Sequence, residues 1–125
     1  GDAGSIPIGF ILGWIIFELS NMDLWHVSIL LPMYYFFDST LTLIFRIIKR
    51  ERILNAHKKH FYQKASSIYK HSTIVIFISL LNIALISLSI IGTLNIEMKN
   101  ISIFVGAFLT LLTLFIFHKV YERQK

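Results

Sequence analysis

Residues 73 to 94 read TIVIFISLLNIALISLSIIGTL, an apolar run without a charged side chain. The hydrocarbon core of a bilayer is about 30 Å thick, so a spanning helix needs about 20 mostly apolar residues. Three more segments are nearly as apolar, at 5–19, 24–48 and 101–117. The pattern predicts an all-α polytopic membrane protein with about four transmembrane helices, at about 5–20, 24–48, 73–94 and 101–117.

The composition excludes several classes of protein. The chain has 125 residues, of which 55% are hydrophobic and 15% charged, and it contains no cysteine. Soluble domains usually have about 25% charged residues, and so short a chain could not bury this much apolar surface. A soluble enzyme, a nucleic-acid-binding module and a disordered tail are therefore excluded, and we expect one membrane domain over 1–125.

Positive charge is concentrated in two segments. Eight of the 12 Lys and Arg residues lie in 46–72 and three in 118–125, which leaves Lys99 alone between the last two predicted spans. Loops rich in Lys and Arg remain in the cytoplasm. We therefore expect a multi-pass protein of the cell (inner) membrane, with a basic cytoplasmic loop at 46–72. Residues 1–4 and 118–125 share that side, whereas 20–23 and 95–100 lie on the other side.

Asp38 lies inside the second predicted span. A carboxylate at this depth costs about 2.5–3.5 kcal/mol on insertion scales and usually faces a bundle interior or a polar cavity. Thr42, Arg46 and Lys49 lie within about 80° of Asp38 on the helix surface, which predicts a polar stripe that runs toward the basic loop. Two interpretations remain open: the stripe lines a site, or Asp38 pairs with a neighbouring helix for packing alone.

The N-terminal pentapeptide and the basic loop are candidate ligand sites. The sequence GDAGS at 1–5 predicts a tight turn that carries Asp2, whose oxygens suit Mg²⁺; an ordinary acidic residue near a helix start is the alternative. The loop clusters Lys, Arg, His57 and His60, which could hold a diphosphate through charged hydrogen bonds. Its alternative is a juxtamembrane loop that attracts anionic lipid. Two imidazoles without a third ligand make a poor zinc site.

A stripe of small residues in the first predicted span and an asparagine in the third both indicate packing between helices. Ser5, Gly9 and Gly13 recur every four residues and predict a face for close helix packing. Asn82 lies in the middle of the 73–94 run, and we expect it to bond to another helix.

Two regions carry a resemblance to a known family. The segment GDAGSIPIGF at 1–10 resembles the GDxGS motif that opens a late transmembrane helix of the polyprenyl-phosphate N-acetylhexosamine-1-phosphate transferases. The segments FFDSTLTLIFR at 36–46 and AHKKHFYQKA at 56–65 resemble the next helix and the cytoplasmic loop of that family. The closest similarity is to the branch that initiates O-antigen and related surface glycans.

The resemblance implies a reaction and its residues. A GlcNAc-like sugar-1-phosphate passes from a UDP-sugar to polyprenyl (undecaprenyl) phosphate and UMP is released, with Mg²⁺ or Mn²⁺ as cofactor. It implies that Asp2 is the metal ligand and a catalytic residue, and that His60 is a second catalytic residue. The residues that it implies for binding substrate and phosphate are Asp38, Arg46, His57, Lys58, Lys59, Tyr62 and Gln63.

The sequence departs from the family in two ways. The family's His-x-His-His run corresponds here to His60-Phe61-Tyr62-Gln63, and its adjacent pair of Asp residues on an earlier loop has no counterpart in these 125 residues. We therefore expect the C-terminal portion of a larger transferase, inactive without the N-terminal half. The alternatives are a small four-helix transporter and a non-catalytic membrane subunit whose basic loop recruits a partner or anionic lipid.

Overall fold

The computed structural model describes residues 2–48 and 69–122, except for the side chains at 2 and 121. These residues form five helices and contain no strand, which confirms the all-α prediction for the described chain. The predicted basic loop lies mostly outside them, at 49–68. The helices are α1 (Asp2–Asn21), α2 (Trp25–Leu30), α3 (Met33–Ile48), α4 (His71–Leu94) and α5 (Met98–Glu122).

Three of the helices are long and apolar enough to cross a membrane: residues 3–21 of α1, all of α4, and residues 98–120 of α5. Their outer surfaces carry large apolar side chains such as Phe10, Ile83 and Phe104. The interior, by contrast, contains a high share of polar side chains. Apolar side chains are favourable on a surface that faces lipid but not on one that faces water. Apolar side chains outside and polar side chains inside are therefore consistent with a membrane protein. The buried polar residues are His26, Ser28, Asp38, Thr42, Ser89, Ser102 and Thr110.

The second predicted span is interrupted, so the prediction of one continuous helix over 24–48 is wrong. Helix α2 ends at Leu30, whose successor Leu31 still bonds to the carbonyl of Val27. Pro32 then has no N–H to donate and its ring clashes with the carbonyl four residues earlier. Helical bonding resumes where the Phe36 N–H donates to the Pro32 carbonyl. The longer piece, α3, has 16 residues, and four continuous spans are therefore not found.

Helix α1 also differs from the prediction at its start. It begins at Asp2, so the tight turn expected over 1–5 is wrong from Asp2 onward. An acidic residue is favourable in a first helical turn, and Ala3 has the highest helix propensity, so the helix extends upstream of the apolar run.

Helices α4 and α5 form an antiparallel hairpin and make the most extensive helix contact of the described chain. Helix α2 packs against both of them, and α3 packs against α5. A seam of small residues on α5 allows this close approach: Ser102, Gly106 and Thr110 are all buried at a spacing of four. A Cβ at Gly106 would lie 2.5 Å from Leu30 Cδ2 and 3.0 Å from Leu85 Cδ2.

Helix α1 packs differently. It contacts α2, every residue from 3 to 15 is exposed, and half-buried positions begin at Ile16. Among the described residues, nothing lies within 4 Å of where a Cβ would be at Gly9 or Gly13. The close packing predicted for the face of Ser5, Gly9 and Gly13 is therefore not found in this part of the chain.

The bundle has two ends of different charge. A contact between Asp23 and Lys99 joins the turns at 22–24 and 95–97, which we call the turn end. Stacking of Phe45 on His118 joins the last turns of α3 and α5 at the opposite end. We call the latter the basic end, because it carries Arg46, Lys70 and Lys119. These two contacts bring 20–23 close to 95–100, and the end of α3 close to the end of α5; on which side of a membrane each end lies stays a prediction.

Candidate functional site

A polar cleft of about 290 Å³ lies between α3 and α4. It extends from His71, the first residue of α4, to Asn82 in the middle of that helix. Both walls contribute polar side chains, and apolar residues such as Ile74 and Ile78 complete the lining. A concave site with a few convergent polar groups is a typical ligand pocket. The polar residues that line it are Tyr34, Tyr35, Asp38, His71, Ser79 and Asn82.

Asp38 is the charged residue of this cleft and is only 5% exposed. Tyr34, Asp38 and Thr42 are buried at successive spacings of four, so this part of the predicted polar stripe faces the interior of the bundle. Ten residues separate Asp38 from the end of α3 at Ile48, which corresponds to about 15 Å along the helix axis. An ionisable side chain at such a depth is by default a candidate for function.

Arg46 lies at the basic end and does not line the cleft. It is half-buried in the last turn of α3, next to Phe45, whose ring stacks on that of His118 with centroids 5.7 Å apart. His118 Nε2 is also 3.3 Å from Glu122 Oε1. Arg46 therefore lies beside the end of α5, and the described lining of the α3–α4 cleft contains no Lys or Arg.

The side chains of the remaining predicted site residues lie outside the described part of the chain. Asp2 begins α1, but its side chain is not described. The others lie between 49 and 68, and the described residues on either side of that segment, Ile48 and Tyr69, are both at the basic end, where Arg46 lies. Their proposed roles in catalysis and phosphate binding therefore stay predictions. These loop residues are His57, Lys58, Lys59, His60, Tyr62 and Gln63.

The described residues do not fit a magnesium site by themselves. No group of three His, Asp or Glu side chains comes together among them, and the cleft offers one carboxylate, Asp38. Mg²⁺ takes six oxygen ligands, of which the protein usually supplies one or two carboxylates while water and substrate phosphates supply the rest. The magnesium prediction therefore depends on Asp2, as the resemblance implies.

The α4 wall of the cleft was not predicted as part of a site. His71, Ser79 and Asn82 share one face of α4, because their spacings of eight and eleven residues return to within about 80° of the first position. The presence of these polar residues on one face of a largely apolar helix was the sequence feature that could have predicted this wall of the cleft. Asn82, which we expected to bond to another helix, lines the cleft facing α3.

A buried histidine joins α2 to α4 near the turn end. His26 is fully buried, and its Nε2 lies 3.1 Å from Thr93 Oγ1 and 3.3 Å from the Ser89 carbonyl oxygen. The Thr93 hydroxyl donates its own proton to the same carbonyl at 2.9 Å, so Nε2 is the donor to both oxygens. A Cβ at Gly92 would lie 2.8 Å from His26 Cδ2. We interpret His26 as a residue of helix packing.

An ion pair closes the turn end. Lys99 Nζ donates to Asp23 Oδ2 at 2.8 Å and to the Asp23 carbonyl at 3.0 Å. Asp23 adopts a left-handed backbone conformation with φ of 60°, which Asp tolerates better than most residues. The hydrogen bond from Lys99, and then its charge, hold the pKa of the Asp23 carboxyl below its usual value. The only Lys of the turn end is thus paired, and it does not approach the cleft.

Comparison of the chain with protein-family models, with curated proteins and with solved structures finds no match. A proposal of function therefore has to come from the residues and the geometry of this chain.

Proposed function

We propose that the chain is the C-terminal part of a polyprenyl-phosphate N-acetylhexosamine-1-phosphate transferase of the inner membrane. It transfers a GlcNAc-like sugar-1-phosphate from a UDP-sugar to polyprenyl phosphate in cell-envelope glycan biosynthesis, and UMP is released. The observation that carries the proposal is Asp38, a buried carboxylate in a polar cleft that extends to the basic end. The cluster of positive charge at that end supports its placement in the cytoplasm, where UDP-sugars are found.

The reaction requires charge neutralisation and alignment. An oxygen of the lipid phosphate forms a bond to the β-phosphorus of the UDP-sugar, and the bond from that phosphorus to the bridging oxygen breaks as UMP leaves. Arg46, with the loop that begins three residues after it, attracts and orients the phosphates. Bound Mg²⁺, with Asp2 as a ligand, would offset the charge of the diphosphate.

The role of Asp38 follows from its chemistry as a hydrogen-bond acceptor. A carboxylate accepts hydrogen bonds from hydroxyl and amide groups, and a GlcNAc-like donor carries both kinds of group on its sugar. We therefore assign Asp38 to the hydroxyl or acetamido groups of the donor sugar. This role is narrower than general phosphate binding.

The decisive experiment replaces Asp38 in the complete reading frame, including any coding sequence upstream of Gly1. UMP release from UDP-GlcNAc and undecaprenyl phosphate is measured in membranes. We expect Asp38→Asn to lower the rate by about tenfold or more, because the amide loses one acceptor position and the negative charge. Asp23→Asn, at the turn end, is the matched control and should leave the rate unchanged. An unchanged rate in folded Asp38→Asn, or no UMP release by the parent protein, contradicts the proposal.

A small transporter is the second candidate, and the interruption between α2 and α3 favours it. Transporters often place discontinuous helices and a charged residue near a substrate path. The same Asp38→Asn variant distinguishes the two functions. Solute or ion flux in proteoliposomes that this variant abolishes, without UMP release by the parent protein, would establish the transporter.

A further inference from the structure

A long apolar groove runs between α4 and α5, separate from the α3–α4 cleft. Its volume is about 580 Å³, and its walls are formed mainly by Phe77, Leu81, Leu109, Leu112 and Ile116. Among its few polar lining groups, the Thr113 hydroxyl already donates to the Leu109 carbonyl at 2.9 Å. The groove therefore offers apolar contacts along two helices to a ligand, and few polar contacts.

The groove reaches the basic end, where its surroundings become cationic. Tyr69 and Val120 line this part of it. Each has an exposed lysine as its neighbour in sequence, Lys70 beside Tyr69 and Lys119 beside Val120. The described acidic residue at this end, Glu122, contacts His118. The residues that line this end of the apolar groove are thus each next in sequence to an exposed lysine, at the edge of the membrane-crossing segments.

We propose that this groove binds an anionic phospholipid of the surrounding bilayer, with an acyl chain along α4 and α5 and the phosphate at Lys70 and Lys119. A chain that enters the groove gains dispersion contacts with both walls, and basic pockets between transmembrane helices attract anionic headgroups. A zwitterionic lipid fills the groove equally well but presents no net negative charge to the lysines. The proposal requires only that the chain lies in a membrane and is independent of the proposed transferase activity.

Lipid selectivity of the full chain tests the proposal. The purified protein is titrated with phosphatidylglycerol and with phosphatidylcholine, and bound lipid is counted by native mass spectrometry. We expect about tenfold stronger retention of phosphatidylglycerol. The double variant Lys70→Gln and Lys119→Gln should remove this preference and leave phosphatidylcholine retention unchanged, because it removes only the charge at the groove's mouth.

Groove-filling variants test where the chain lies. Ala84 lines the groove, so Ala84→Phe should lower the retention of both lipids. Leu112→Trp fills the groove from the other wall and serves as a second variant if Ala84→Phe loses helicity. Ile83→Phe is the control, because Ile83 is exposed on the same helix and does not line the groove.

Three results would overturn the inference. The first is equal retention of the two lipids by the parent protein, and the second is unchanged retention in both groove-filling variants. The third is binding of undecaprenyl phosphate under conditions in which phosphatidylglycerol does not bind, since the site would then belong to a prenyl lipid.

Discussion

At the scale of single residues, Gly106 is a point of close approach between three helices. Its hydrogen faces Leu30 of α2 and Leu85 of α4, and both leucine side chains are buried. In a membrane, where apolar burial gives little gain, this kind of close packing is the main source of helix association.

We expect Gly106→Ala to lower the free energy of unfolding by about 1–3 kcal/mol, because the new methyl group would overlap the buried side chains of Leu30 and Leu85, which would have to shift. The free energy is measured by following helicity during unfolding in mixed micelles of increasing SDS content. Gly9→Ala is the control: its site is open, so stability should be unchanged or should rise by up to about 1 kcal/mol from helix propensity. Equal stabilities of the two variants would disprove this account.

The small-residue seam shows why residue spacing alone predicts packing incompletely. The spacing of Ser5, Gly9 and Gly13 predicts a close contact as well as the spacing of Ser102, Gly106 and Thr110 does. Only the second set has helices against it in the described chain. Which set packs depends on which helix lies opposite it, and the local sequence does not specify the neighbouring helix.

At the scale of helices, hydropathy identified α4 and α5 because each contains an uncharged apolar run, at 73–94 and 101–117, with a short polar turn between the two helices. It failed for the segment 24–48, where the run is nearly as apolar but contains Pro32. A hydropathy average scores proline by its polarity alone, whereas a helix loses a backbone hydrogen bond at a proline. Pro32 was therefore the signal of the interruption, and its backbone chemistry decides the structure.

Replacement of Pro32 by Ala should join α2 and α3 into one straighter helix, because Ala restores the missing N–H donor and removes the ring. Cysteine pairs can be labelled cleanly in a chain without native cysteine. With spin labels at Ile29→Cys and Ile47→Cys, we expect the distance to lengthen toward about 27 Å, the value for 18 residues of straight helix. Pro7→Ala in α1 should not alter this distance. No change in the Pro32→Ala protein would mean that packing against α5 bends the segment.

At the scale of the whole molecule, the two ends of the bundle differ in charge. The described residues of the basic end include Arg46, Lys70 and Lys119, whereas the turn end pairs its single Lys99 with Asp23. The positive-inside rule therefore predicts the orientation without the loop at 49–68.

Single cysteines test this orientation. In intact cells or spheroplasts, an impermeant maleimide should label Asn95→Cys at once and Lys119→Cys only after the membrane is permeabilised, because only the turn end faces outward. Both positions are exposed, so burial does not confuse the result. Labelling of both from the same side would contradict the crossing of the membrane by α5, and the reverse pattern would place the proposed active site on the wrong side for UDP-sugars.

The candidate site was predictable only in part. Asp38 and Thr42 were identified because helical spacing is a property of one segment, and both are buried as predicted. The opposite wall of the cleft, with His71 and Ser79, comes from a helix that starts more than 30 residues later. Its position against α3 depends on how the bundle assembles, which no local pattern of residues expresses.

The contact of His26 with α4 imposes an order on biogenesis. His26 is synthesised 63 residues before Ser89, so α2 leaves the ribosome well before its hydrogen-bond acceptors exist. Until α4 has been inserted, the imidazole has to remain in contact with water or headgroups, since an unsatisfied polar group in hydrocarbon is costly. The short α2 therefore reaches its final depth late. Its insertion is completed only when the last two helices, which are translated long after it, have entered the membrane.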